Sequence, residues 1–294
     1  MIPEPRTMKR LIVNADGFGF GPGATQGVLD ALSEGKFITS VSVNANFPDA
    51  ERIAELAEMF PQVSIGVHLN PMVGRPCLPP ERVPSLVGPD GNLHAKKFLR
   101  VLGKGLVSHS ELESELDAQI ARAKELAGGR LTHLDSQANS HLSYFDLFVR
   151  LARKWDIPRM RNNASLICLE AECPSRSRSF AYLRSPHVWI AHRYRNYQMR
   201  KARRNSLRMA DALVTVGYAG TGNKTNIENW CRLLHHLPEG TFEIYCHPAY
   251  PDATLRQWAS YCDERMKELT ILRQELLCNE AREAGVTLIS FNDI

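Results

Sequence analysis

The sequence predicts an α/β fold in one domain, with a single parallel sheet that is either closed into a barrel or doubly wound. Three observations carry that prediction. Strand-like and helix-like segments alternate seven or eight times, without a linker or a domain-like break. The first strand candidate, Leu11-Ile-Val, is a continuous apolar run of the kind a fully buried parallel strand needs. Such runs end on polar residues, where the next loop of a β/α protein opens onto the working face. With 294 residues, 44% of them hydrophobic, the chain has material for a large core.

The first ten residues hold two prolines and no apolar h-region, so residues 1–8 read as a disordered leader, not a secretory signal. Residues 9–15 read as a strand stopping at Asp16, with glycines at 17, 19, 21 and 23 beyond it. A helix over 24–34 has apolar positions at Val28, Leu29 and Leu32 and Gly35 as its C-cap. Residues 37–43 form a β-branched strand ending on Asn44. Residues 48–59 are helical with Pro48 in the first turn, and 63–69 form a strand ending on His68 and Asn70.

Residues 71–105 break this rhythm with six prolines and five glycines, an insertion of the kind that is either functional or mobile. Helix resumes over 110–126, where Ser110 and Glu113 have capping-box spacing. The strand at 130–136 alternates and puts His133 and Asp135 on one face. A helix over 143–155 leads to a short strand, 157–161, ending on Arg161. Beyond a basic insertion at 173–210, strands are expected at 212–216, 241–246 and 285–291, and helices at 225–237 and 255–284. The strand at 241–246 ends on His247-Pro248.

The polar strand ends are thus Asp16, Asn44, His68, His133, Asp135, Arg161 and His247. Each alone has a plainer explanation. Asp16-Gly17 is also a turn signal, and a single strand-end histidine is more often a structural hydrogen-bonding residue than a catalyst. Together, at one mouth, they are the equipment for metal-assisted hydrolysis or general acid–base work. The glycine run from Gly17 to Gly23 fits neither the dinucleotide fingerprint nor the P-loop. Seven scattered cysteines without a C-x-x-C pair fit reduced packing residues of a cytoplasmic protein.

Four motifs carry a resemblance: Asn14-Ala-Asp16-Gly-Phe-Gly19, Gly66-Val-His68-Leu-Asn70, Thr132-His-Leu-Asp135-Ser136 and Glu243-Ile-Tyr-Cys-His247-Pro248. As a set, the chain from Lys9 onward resembles the YdjC-like carbohydrate deacetylases, the group that includes chitooligosaccharide and hopanoid-sugar deacetylases. The resemblance implies a TIM-barrel-like (β/α)7–8 barrel and metal-dependent removal of acetyl groups from amino sugars. It makes Asp16 the general base, and His247 is its candidate acid. Asn14, Asn44, Asp135, His141 and Arg161 are the candidate substrate-binding residues.

The family pattern has a second aspartate directly after the first, as a metal ligand, and reads Asp-Ser-His-x-His-x-His in the fourth strand. Here Gly17 replaces that aspartate, Gln137 replaces the ligand histidine, Asn139 replaces a neighbouring one, and His141 remains. Of the implied ligands only His68 is in place. One imidazole does not hold a divalent ion, and an amide is a poor substitute at zinc. A divalent metal, Mg or Zn, is therefore expected to be weak or absent. Rebuilding a site from Asp16, Asp135 or His133 would cost Asp16 its role as base.

Three functions fit. The first is a deacetylase, acting on an amino sugar or sugar-lipid with a weak or rebuilt metal site. The second is a metal-independent enzyme on a related glycan bond, using Asp16 and His247. The third is a non-catalytic sugar-binding relative. The net charge of +4 is local: residues 173–210 hold nine arginines, one lysine and no acid, which leaves −6 elsewhere. Within 176–208 the charge interleaves with Trp189, Ile190 and Tyr197. That is either a solvated face or a peripheral contact with an anionic membrane or lipid-linked substrate. No nucleic-acid-binding module accompanies it. The expected protein is cytoplasmic or membrane-peripheral, and the sequence admits a homodimer.

Overall fold

The computed structural model describes residues 8–164, 166–168, 186–216, 225–259 and 261–294. The leader before Met8, and Arg176, Arg178 and Arg184 of the basic insertion, lie outside these residues. Eight strands form one sheet: β1 (Lys9–Phe18), β2 (Ser40–Val43), β3 (Ser64–Leu69), β4 (Leu134–Ser136), β5 (Leu166–Cys168), β6 (Ala212–Thr215), β7 (Gly240–Cys246) and β8 (Val286–Ile289). All pairings between them are parallel, in the order β4-β3-β2-β1-β7-β6-β5, with β8 also on β1. The parallel α/β sheet expected from the sequence is therefore present, and β1 is its hub.

A closed barrel is not what this ladder shows. Among the described residues its ends, β4 and β5, do not pair with each other. The strand expected at 157–161 shrinks to single bridges, Leu134 with Met160 and Arg159 with Arg208. The sheet is barrel-like, with one irregular seam.

Strand periodicity places the site. On β1, Leu11, Val13 and Ala15 face the main core, while Ile12 faces inward against Ile289 and Phe291. Asn14 and Asp16 share the inward face with Ile12, one and two steps further up. On neighbouring strands the same inward row is polar: Ser40 and Ser42, then His68, then Asp135, then Glu243. An apolar plug thus underlies a buried polar layer. His133 marks the boundary, its ring stacked on Phe291 at 3.8 Å. Gly66 makes room for it, since a Cβ there would collide with the His133 ring.

β1 does not stop at Asp16. It runs through Gly17 to Phe18, and its register against β2 slips between Asp16 and Phe18. Gly17 absorbs the slip at φ 104°, a left-handed conformation that glycine adopts without strain. Asp16-Gly17 is thus a bulge that aims a side chain, not a turn that ends a strand.

The helices are α1 (Pro22–Asp30), α2 (Ile53–Met59), α3 (Phe98–Gly103), α4 (His109–Leu126), α5 (Phe145–Lys154), α6 (Pro186–Arg204), α7 (Ile227–His236), α8 (Ala253–Trp258), α9 (Asp263–Leu272) and α10 (Leu276–Glu283). Lys36, not Gly35, takes the left-handed position after the first helix. Ser108, not Ser110, caps α4: its Oγ accepts from the Glu111 N–H at 3.4 Å. The single helix expected over 255–284 breaks into α8, α9 and α10, because Ala259 leaves the first of them in an extended conformation. The break lets α9 turn one face back toward the end of β7.

The 71–105 insertion is packed down. Val83, Leu86, Leu93 and Phe98 are buried, and the Glu115 carboxylate of α4 accepts the N–H groups of Cys77 at 2.8 Å and Leu78 at 3.0 Å. No helix of the described residues is long and apolar enough to cross a membrane. Cys77, Cys231, Cys246, Cys262 and Cys278 are free thiols.

Candidate active site

A cleft of about 430 Å³ opens over the carboxyl ends of the strands. Asp16, Gly17, His68, Arg161 and His247 line it, together with Gln137 and Asn139 from the segment after β4 and Tyr261 and Arg265 from around the start of α9. Six segments distant in sequence therefore meet at one mouth, as the strand-end pattern implied. Asn14, Asn44, Asp135 and His141 are buried and do not line this cleft. Asn14 lies behind Asp16, donating to its Oδ1 at 2.6 Å and to Ser42 Oγ at 2.9 Å. His141 is held by Ser136 at 2.7 Å and packed on Phe148. Asn44 is fully buried, with both side-chain polar atoms lacking hydrogen-bond partners.

Arg161 organises the floor. It donates to Asp16 through Nη1 at 2.8 Å and Nη2 at 2.7 Å and to Glu243 through Nε at 2.6 Å, and its Nη2 forms an ion pair with Asp135 at 2.8 Å. A planar guanidinium with five donors can serve three carboxylates at once, which an ammonium cannot. Tyr245 stacks under it at 5.0 Å. Burial opposes charge on Asp16, but the Arg161 guanidinium outweighs burial and holds the carboxyl below its usual range. Asp135 is depressed for the same reason, aided by His68, whose Nδ1 lies 2.8 Å from its Oδ1. Burial disfavours charge on His68, yet Asp135 reverses the balance and its pKa is raised. Glu243 goes the other way: burial outweighs Arg161 and pushes it up to about 7.

His247 stands on the opposite wall. Its Nε2 is 4.0 Å from Asp16 Oδ2, and Tyr245 and Tyr261 meet the ring edge-on, each at 5.6 Å. Its backbone N–H donates to Glu268 at 2.6 Å. Burial, with Arg265 adding like charge, pushes His247 down to about 3, so the ring is neutral at neutral pH. Burial raises Glu268 to about 7.

Asp16, His68 and Asp135 each offer a ligand atom, all within 4.8 Å of one another, and could hold a divalent ion. Two carboxylates and an imidazole suit Mg or Zn in kind. The two carboxylates are already engaged, however, by Arg161, and His68 Nδ1 by Asp135, which leaves His68 Nε2 as its ligand atom. At the two positions where the family pattern implies further ligands, Gly17 offers no donor and Gln137 offers an amide.

Glu243, Tyr261, Arg265 and Glu268 were not anticipated from the sequence. Glu243 carried a signal, a carboxylate inside an apolar strand. Arg265 and Glu268 carried none, since Asp263-Glu-Arg-Met-Lys-Glu268 reads as a solvated helical turn.

The comparisons cover nearly the whole molecule. The family described as YdjC-like protein matches residues 10–279. A carbohydrate deacetylase of Geobacillus stearothermophilus is 30% identical over 287 residues, covering 96% of this chain and 96% of its own. A chitooligosaccharide deacetylase of Yersinia pestis is 28% identical and covers 97% of this chain and 99% of its own. The solved structure of an Enterococcus faecalis protein, described as a proposed cellobiose-phosphate cleavage protein, matches with a TM-score of 0.72. That protein is 28% identical, over 97% of this chain and 98% of its own. On the family match and this near full-length likeness, the chain belongs to the YdjC-like protein family.

Proposed function

We propose that the protein is a carbohydrate deacetylase that hydrolyses an N-acetyl group from an amino sugar or sugar-lipid, with a divalent metal held weakly or not at all. The observation that carries this reading is the Asp16–His247 pair, 4.0 Å apart across a cleft in a chain with deacetylase relatives. The seam at 158–161 is read as the closure of a (β/α)7–8 barrel around that cleft.

Arg161 keeps Asp16 ionised and its oxygens fixed, so Asp16 is a positioned acceptor for a proton of the attacking water. The water oxygen bonds to the acyl carbon. The neutral His247, within reach of Asp16 Oδ2, then relays that proton to the departing nitrogen as the C–N bond breaks. A ring with a pKa near 3 donates readily once protonated. Acetic acid and a free amine result, and the acid gives up the water's second proton to become acetate. Any ion on Asp16, His68 and Asp135 would have to displace Arg161 and would take Asp16 out of service as base.

The test is acetate release from N-acetylated chito-oligosaccharides. General acid–base help is worth about 100- to 10,000-fold per residue, so Asp16→Asn and His247→Ala should each cost about 3–5 kcal/mol in kcat/KM. If both variants turn over normally per folded molecule, or if only their melting temperatures fall, the roles are structural.

A second, independent reading concerns α6. Trp189, Ile190, Tyr194 and Tyr197 are exposed on it, and Arg193 lies over the Trp189 ring at 4.9 Å. Met199 and Ala202 anchor the helix from below. This face fits peripheral contact with an anionic membrane.

A further inference from the structure

Two arginines line the cleft, and they differ in their partners. Arg161 is saturated by three carboxylates. Arg265 is only 7% exposed, yet among the described residues its side chain makes no ion pair or hydrogen bond, and its buried Nε lacks any partner. What holds it is the Tyr261 ring, 4.7 Å from its guanidinium carbon. The same Tyr261 ring abuts His247, so one aromatic side chain positions both groups.

The acids nearby are spent. Asp16 is bound by Arg161, and Glu268, one turn along α9, accepts the His247 backbone N–H. On the cleft side, Arg265 Nη1 lies 3.4 Å from the point where a Cβ on Gly17 would sit. A carboxylate at position 17 would fall beside that guanidinium; glycine leaves it open to the cleft. A desolvated cation without a direct ion-pair partner is costly, even with the Glu268 carboxylate in its field, and such groups persist where a ligand completes them.

Resting on the deacetylase reading, we propose that Arg265 is a catalytic residue whose guanidinium receives the acyl oxygen as it becomes negative. As water oxygen bonds to the acyl carbon, the C=O π pair moves onto the acyl oxygen, and the Arg265 N–H groups donate to it there. The pair returns as the C–N bond breaks and nitrogen takes its proton from His247. The acetic acid so formed loses the water's second proton to solvent, and acetate leaves from the same guanidinium. The cation that stabilises the transition state is in this way part of the chain itself.

Two measurements on wild type, Arg265→Gln and Arg265→Lys test this. Removing one oxyanion donor costs about 100- to 1,000-fold in kcat. Arg265→Gln should show that loss on a neutral N-acetylated chito-oligosaccharide with KM within about threefold, while Arg265→Lys recovers part of it. Acetate alone, titrated by calorimetry into each protein, should bind the wild type and lose at least about tenfold in affinity in Arg265→Gln. An unchanged kcat, a loss in KM alone, or a loss confined to phosphorylated sugars would overturn the proposal; the last would make Arg265 a holder of the substrate's own anion. If no sugar is turned over, the deacetylase reading fails by itself, and the acetate titration decides the anion site. Acetate binding lost in Arg265→Gln upholds that site, and no acetate binding by wild type overturns it. Should Arg265→Gln not fold, Gly17→Asp places a carboxylate beside an intact Arg265 and should abolish acetate binding equally.

Discussion

Replacing Arg161 by methionine keeps much of the side-chain volume and removes the charge shared by Asp16, Asp135 and Glu243. In the wild type these contacts are 2.6–2.8 Å long and almost completely buried. Breaking one buried pair by removing a partner costs about 3–5 kcal/mol. Here two carboxylates, Asp16 and Asp135, lose their main stabiliser together, while Glu243, already raised to about 7, loses less. The expected cost at pH 7 is therefore at least about 5 kcal/mol, a large share of a typical total of 5–15 kcal/mol.

The aspartates' share of the pH dependence should also change sign. In the wild type both aspartates have folded pKa values below the unfolded value of about 3.9, so their contribution is present above that pH and is lost on acidification below it. In Arg161→Met, burial acts unopposed and lifts their folded pKa values above the unfolded one. Relative to wild type, the variant then gains stability as pH falls toward 4.5, by roughly 2 kcal/mol. Urea unfolding at pH 7 and pH 4.5 reads both effects. A variant within about 1 kcal/mol of wild type at pH 7, or one with the wild-type pH slope, would refute the reasoning.

Other outcomes can be stated from the same structure. Gly17→Asp combined with Gln137→His puts donors at both vacant ligand positions, so by elemental analysis the purified double variant should carry more zinc than wild type, short of one per chain because Arg265 competes for the new carboxylate. The left-handed φ at position 17 should make that variant about 1–3 kcal/mol less stable. His141, pushed down to about 3 by burial, is neutral in the fold and gains a proton on unfolding, so its contribution is lost as pH falls from about 6.5 toward 3. At pH 4.5 the loss is roughly 2–3 kcal/mol, and in His141→Phe the fall in unfolding free energy between pH 7 and pH 4.5, read by urea unfolding, should shrink by about that amount. Wild-type binding to anionic liposomes should fall steeply as salt shortens the Debye length; indifference to lipid charge and to salt would return α6 to a plain solvated face.

The sequence was most legible where periodicity and burial coincide. Leu11-Ile-Val could only be a buried strand, and the parallel sheet around it followed from the alternation. Asp16, His68, Arg161 and His247 were visible as polar stops after apolar runs, because strand alternation and loop placement both act on that pattern. Closure of the barrel was not legible, since the residues between Pro158 and Arg161 make single bridges whose pairing depends on distant Arg208. Asn44 and His141 shared the strand-end signature but face protein, and sequence does not distinguish a cleft wall from the layer behind it. Arg265 and Glu268 were hidden for a different reason. Their helix is charged at most positions, and only the chain break near Ala259 turns one face inward. Ser108 and Ser110 were equivalent as caps until hydrogen-bond geometry chose between them.

Acetate release by the folded, chelator-treated protein, measured beside Asp16→Asn, tests the central claim most directly. The account predicts that N-acetylated chito-oligosaccharides still release acetate after chelation and that Asp16→Asn abolishes the release. Acetate release that vanishes with the chelator and returns with one tightly bound zinc per chain would contradict it.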